Sequence, residues 1–153
     1  EKIPELVKNV LLSKYVDILS VNENEAICYA LQLSHEIEEP KKSLPFAELA
    51  KESARILAAH LLARVDLHTT SFSATFTKEG ETVVPAFRVP VLRATGAGDA
   101  WNAGNIIGDA YKLSDSSRLA LANAVAAYYI SNPKGMHPTR KQLTKFCGKL
   151  KQK

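Results

Sequence analysis

Four of the seven glycines in this sequence fall between positions 96 and 108, and two of them flank the approach to an acidic residue. Thr95-Gly96-Ala97-Gly98-Asp99 joins a segment predicted as a strand to one predicted as a helix. Residues without bulk let a backbone turn tightly and hold several N–H groups together. At a helix start those donors stand at the positive end of the dipole, where a transferring phosphate is stabilised. Asp99, in the first turn, has the chemistry to take a proton from a hydroxyl held beside it. The spacing is neither GxGxxG nor GxxxxGK(S/T), which excludes the Rossmann and P-loop readings. The residues alone leave a second account open, because glycines with an Asp at a helix start also suit plain helix capping. Ala100, Gly104 and Gly108, four apart, read as a small-residue stripe for close helix packing.

A second constellation is Asn22-Glu23-Asn24-Glu25. It follows Tyr15 to Val21, a mostly apolar run that suits a buried strand. An Asn with an acid three residues on is ordinary capping-box chemistry. A third, His68-Thr69, stands at the end of a predicted strand. A lone His in such a place is more often structural than catalytic.

The elements that must position these residues alternate in type. A helix is predicted to end over Leu6 to Leu12, and a second to run from Asn22 to about Ser34. A polar loop with Pro40, Lys41, Lys42 and Pro45 leads into a helix over about Phe46 to Ala63. Val65 to Thr69 and Ser73 to Thr77 read as strands, and Lys78 to Glu81 as a turn into a strand at Thr82 to Val84. A further strand is predicted near Phe87 to Leu92. Helices are predicted over about Ala97 to Tyr111, Ser114 to Ser131 and Thr139 to Leu150. Helices alternating with short apolar strands point to an α/β sheet with helices on its faces.

Composition narrows the classes. The chain has 153 residues, 46% hydrophobic and 24% charged, which describes one globular domain and not a disordered chain. No run approaches the roughly 18 apolar residues of a membrane span. The first residues, Glu1-Lys2-Ile3-Pro4-Glu5, lack the pattern of a secretion signal. Cys28 and Cys147 form no CxxC pair, so neither a disulfide scaffold nor a zinc module is expected. The net charge is +4, and Lys134, Arg140, Lys141, Lys145, Lys149, Lys151 and Lys153 crowd the last twenty residues. Without interleaved aromatics that tail reads as a solvated helix face, not a nucleic-acid site.

Ala94-Thr95-Gly96-Ala97-Gly98-Asp99-Ala100-Trp101-Asn102-Ala103-Gly104 resembles the second signature of the ribokinase-like (phosphofructokinase B) kinases, roughly D-T-x-G-A-G-D-x-F-x-x-G. The resemblance implies that Gly96, Ala97 and Gly98, with Thr95 beside them, form an anion hole for the transferring phosphoryl group, and that Asp99 is the catalytic base. Asn22-Glu23-Asn24-Glu25 resembles the family's N-x-x-E motif, which implies that Asn22 and Glu25 organise Mg²⁺ and phosphates. Glu25 would then act through water, with no direct metal ligand in this chain. Where the family has T-x-G-x-x-G along the nucleotide, this chain reads Thr69-Thr70-Ser71-Phe72-Ser73-Ala74, so only Thr69 is carried over. Ala122 to Ala127 is similar to the small-residue helix beside the adenine pocket, which implies a nucleotide contact for Asn123. Arg93-Ala94 stands where the family has Asp-Thr. That departure puts monovalent-cation activation in doubt and leaves Arg93 to meet either an anionic group or a surface carboxylate.

The resemblance implies a three-layer α/β/α ribokinase-like fold, with residues 1–153 forming a single partial domain, the C-terminal nucleotide-binding half. The N-terminal half, with its lid and most acceptor contacts, is absent from this sequence. The implied activity is transfer of the γ-phosphoryl of ATP, with Mg²⁺, to a hydroxyl of a sugar, sugar phosphate or nucleoside. The half alone is expected to be inactive, and the full-length protein to be cytoplasmic, a candidate homodimer, and without nucleic-acid or membrane partners. Two alternatives stay open: an ADP-dependent sugar kinase of the same fold, and a non-catalytic nucleotide-binding module. Residues choosing the acceptor lie outside this sequence.

Overall fold

The computed structural model describes residues 2–33 and 44–150. The predicted helix end at Ser34, the loop residues Pro40 to Lys42, and Glu1, Lys151 and Lys153 lie outside them. The described residues form two compact units, Glu1–Thr69 with Ser73–Val83, and Thr70–Phe72 with Val84–Lys153.

The first unit opens with α1 (Ile3–Leu6), which widens into a π-helical turn over Val7–Leu11. Pro4 sits at the start of α1, where its missing N–H costs no helical bond. β1 (Ile18–Val21) leads into α2 (Glu23–Ala30), then α3 (Phe46–His60) and β2 (Arg64–His68). β1 and β2 are parallel, with Ile18 opposite Arg64 and Val21 opposite Leu67. β3 (Phe72–Phe76) returns antiparallel to β2, Val65 facing Phe76 and His68 facing Ser73. β4 (Glu81–Pro85) completes the sheet order β1-β2-β3-β4.

Ala50, Ala54, Leu57 and Ala58 recur at helical spacing on α3 and are buried with Ala26 and Ala30 of α2 and with Val65 and Leu67 of β2. These alanines let the helices lie close to each other and to the sheet. Leu57 is fully buried, and Leu57→Ala would cost about 2–5 kcal/mol through lost transfer energy and a cavity. Asp66 is also fully buried. It is tied to the Arg64 guanidinium at 2.9 Å and accepts from Thr75 Oγ1 at 2.6 Å across the β2–β3 ladder. The β3–β4 turn is closed by Thr77 N–H to the Gly80 carbonyl, and Arg55 of α3 forks onto both Glu81 oxygens at 2.6 and 2.8 Å.

The second unit is built on α4 (Ala97–Ala110), α5 (Asp115–Ser131) and α6 (Arg140–Cys147). A Cβ on Gly104 would stand 2.7 Å from the Ala122 Cα, and one on Gly108 2.7 Å from the Arg118 Cγ. The small-residue stripe is therefore the surface by which α4 meets α5. Trp101, Leu119 and Ala122 form its core, with Val84 and Ala126 packed around them. Arg118, almost fully buried, bonds the Asn105 carboxamide and is paired with Asp115 at 2.9 Å. Tyr128 meets Phe146 of α6 edge-on, with ring centroids 5.4 Å apart.

One predicted element does not form. Residues 87–92 are not a strand. Pro90 has no N–H to give a ladder and Pro85 ends β4, so this segment joins no sheet. Its last residue, Leu92, instead donates its N–H to the Ile130 carbonyl at 2.8 Å. The long helix of unit one also stops earlier than predicted, at His60, because Leu61 turns to an extended backbone (φ −84°, ψ 157°). No helix among the described residues is long and apolar enough to cross a membrane.

Candidate functional site

The residues predicted to do chemistry in the second unit gather at the start of α4. Gly96 is its N-cap, with φ +84°, a left-handed conformation that L side chains resist. Space forbids a side chain there as well, since a Cβ would lie 2.5 Å from the Tyr129 hydroxyl oxygen. Ala97 N–H closes the turn onto the Ala94 carbonyl at 3.1 Å, and Ala100 N–H makes the first helical bond to Gly96 at 3.0 Å. No side chain caps α4. The amides of Gly98 and Asp99 thus fall in a first turn with no helical carbonyl four residues back to accept them. Ala97, by contrast, has its amide engaged. Asp99 is exposed beside this turn, while Ala100 and Trp101 immediately after it are buried. Such a turn can receive an anion on its amides while the Asp99 carboxylate accepts a proton.

Asn123 lies behind this turn, on α5. Its Oδ1 accepts the Trp101 indole N–H at 2.9 Å, and its Nδ2 donates to the Pro85 carbonyl at 3.1 Å. The residue is almost wholly buried, with its side chain joining α5, α4 and the end of β4. Among the described residues Arg93 pairs with no carboxylate. It donates to the Pro133 carbonyl at 2.9 Å and stands over the Tyr129 ring, 5.9 Å from its centroid. Tyr129 itself donates to the Thr95 carbonyl at 3.2 Å and stacks on His137 at 4.9 Å. No motif in the sequence marks Tyr129 or His137. The signal available was the turn Pro133-Lys134-Gly135 after α5, whose Gly135 has φ +60°.

In the first unit, Asn22 and Glu25 meet each other at the start of α2. Asn22 Oδ1 accepts from Glu25 N–H at 3.0 Å, and Glu25 Oε2 accepts from Asn22 N–H at 2.9 Å, a complete capping box. His68, at the end of β2, is held below the usual imidazole value by burial, against the opposing pull of Glu25 and Glu23. Thr69 follows it, half-buried. Burial also raises the Tyr29 phenol, with Glu25 adding to the effect.

For Mg²⁺, the described residues hold no group of three or more His, Cys, Asp or Glu fit to bind a metal. The Glu25 carboxylate has one oxygen in the capping box and the other, Oε1, left over. That donor set suits an ion carried mainly by water and phosphate oxygens, with one outer carboxylate, and Mg²⁺ binds in this way.

No protein-family model matches the chain, and no curated protein matches it in sequence. Solved structures do match. Ribokinase from Cryptococcus neoformans var. grubii serotype A, in complex with ADP, is similar with a TM-score of 0.74 and 17% identity, over 96% of this chain and 48% of that one. Aminoimidazole riboside kinase from Salmonella enterica gives 0.68 and 25% identity, over 97% of this chain and 46% of that one. Phosphofructokinase-2 from Escherichia coli gives 0.68 and 14%, over 90% and 42%. The structural neighbours are ribokinase-like sugar and nucleoside kinases, and this chain has their mixed α/β fold over about half their length.

Proposed function

We propose that the complete protein is a kinase that moves the γ-phosphoryl of ATP to a hydroxyl of a sugar, sugar phosphate or nucleoside. The observation that carries this reading is the start of α4, an uncapped turn on a left-handed glycine with an exposed carboxylate beside it. The kinase fold of the neighbours supports it.

Asp99 takes the proton of the acceptor hydroxyl as its oxygen closes on the γ-phosphorus. The bond from that phosphorus to the β-bridging oxygen breaks, and its electrons leave with ADP. The amides of Gly96, Gly98 and Asp99 meet the negative charge spread over the transferring oxygens, with the α4 dipole behind them. Ala97 shapes the turn, its own amide being spent on Ala94, and Thr95 carries the preceding carbonyl. Bound Mg²⁺ supplies neutralisation of the phosphate charge, and Glu25 with Asn22 would hold it through water. Thr69 borders the nucleotide, and Asn123 serves the nucleotide site by fixing Trp101 and the end of β4.

The test is Asp99→Asn in the complete protein, assayed with MgATP and with MgADP against a panel of sugars, sugar phosphates and nucleosides. Turnover should fall by about 10²–10⁴ while nucleotide affinity holds within about twofold. Near-normal turnover overturns the assignment of the base. Transfer from MgADP but not MgATP would instead establish the ADP-dependent reading, and nucleotide binding without transfer to any acceptor would leave a binding module.

A further inference from the structure

The Tyr129 phenol, near the end of α5, reaches back 34 positions in sequence to the Thr95 carbonyl. A trans peptide is planar, and its C=O and N–H point to opposite sides. Holding the Thr95 oxygen against Tyr129 therefore turns the Gly96 N–H to the opposite side of the same peptide plane. Glycine offers the least resistance of any residue to a peptide flip, because its backbone accepts either sign of φ. A flipped Thr95–Gly96 peptide would present a carbonyl oxygen where the turn has to present a donor.

Tyr129 is itself held. The Arg93 guanidinium stands over its ring, and His137 stacks on it with planes 24° apart. The guanidinium is anchored on the Pro133 carbonyl, while its Nε is buried with no hydrogen-bond partner, so packing fixes it there. A Cβ on Gly135 would run into the same guanidinium. A cation over a phenol also draws electron density from the ring and strengthens its O–H as a donor.

We propose that Tyr129, steadied by Arg93 and His137, is a positioning residue that locks the Thr95–Gly96 peptide with its N–H turned towards the anion. The proposal rests on the reading of the α4 turn as the transfer site. It assigns Arg93 a role the sequence did not suggest: an internal cation acting on the turn through a tyrosine ring.

The experiment compares Tyr129→Phe, Arg93→Met and Asp99→Asn in the complete protein. It measures kcat, the KM for MgATP, thermal midpoint, and affinity for MgADP with aluminium fluoride as a mimic of the transferring phosphoryl group. Tyr129→Phe keeps the ring and loses only the donor. It should lower kcat about tenfold and weaken the aluminium fluoride complex by a similar factor, with the MgATP KM within about twofold, the pattern of an interaction made in the transition state. Arg93→Met should shift both in the same direction by a smaller factor. A purely structural Tyr129 would lower the thermal midpoint and leave kcat and the mimic's affinity unchanged. That result, alongside a collapsed Asp99→Asn, overturns the lock and spares the kinase reading. Near-normal turnover in Asp99→Asn overturns the assignment of the base and of the α4 turn as the transfer site, and no transfer by the unsubstituted complete protein removes the kinase reading itself. Should Tyr129→Phe misfold, the same readouts on Arg93→Met decide the matter.

Discussion

The starts of α2 and α4 share a plan and differ in execution. Each has an acid at the third helical position, Glu25 in one and Asp99 in the other. At α2 the N-cap is Asn22, whose side chain and backbone exchange two hydrogen bonds with Glu25. At α4 the N-cap is Gly96, which has no side chain to give, and nothing caps the helix. The first arrangement satisfies its own orphan amides and so contributes to stability. The second leaves amides open to an outside anion and an acid open to an outside proton. Replacing a capping side chain by a glycine converts a helix end from self-sufficient to receptive.

The largest effect should come from closing the receptive end. Gly96→Ala places a Cβ at a left-handed φ and 2.5 Å from the Tyr129 oxygen. Strain and displacement of the tyrosine should destabilise the fold by about 1–3 kcal/mol and cut phosphoryl transfer at least about a hundredfold, as thermal melts and steady-state assays would register. Next is Glu25→Gln, which separates the two roles of that carboxylate. If it organises Mg²⁺, the Mg²⁺ concentration for half-maximal transfer should rise several-fold, with kcat recovered at saturating Mg²⁺. An unchanged Mg²⁺ dependence would reduce Glu25 to the capping box. Asn22→Ala should cost about 1 kcal/mol of stability through the lost cap, read by chemical denaturation.

The smallest effect concerns His68. Its imidazole is held below the usual value near 6.5, so the unfolded chain binds its proton more readily than the folded one does. Stability should be level above about pH 6.5 and decline as the pH falls below it. His68→Gln should flatten that acid limb in pH-dependent melts, and an unaltered limb would place its origin elsewhere.

Local signals made much of this legible. Asn22 with Glu25, Ser114 and Thr139 with Gln142 are caps written within four residues of sequence, and the helices begin where they stand. The stripe of Ala100, Gly104 and Gly108 announced a close helix contact, and α5 occupies it. What failed was set by partners or by donors. Residues 87–92 have the apolar character of a strand, yet Pro90 cannot join a ladder. The π-helical turn at Val7–Leu11 has no mark in composition. The Arg93, Tyr129 and His137 cluster was illegible because its members come together only when the turn after α5 folds back over the start of α4. Capping and packing account for the bonds that Asn22, Glu25 and Asn123 make, so their marks in the sequence are also those of ordinary helix chemistry.

Trp101 is the sole tryptophan of the sequence, two positions beyond Asp99, only 3% exposed and donating its indole N–H to Asn123. The protein therefore carries its own optical probe on the helix that begins at the proposed site. An indole in so dry a setting emits towards the blue, and it reddens when water reaches it. Titrating nucleotide while following that emission would report, without any label, whether filling the turn tightens or loosens the seam between α4 and α5.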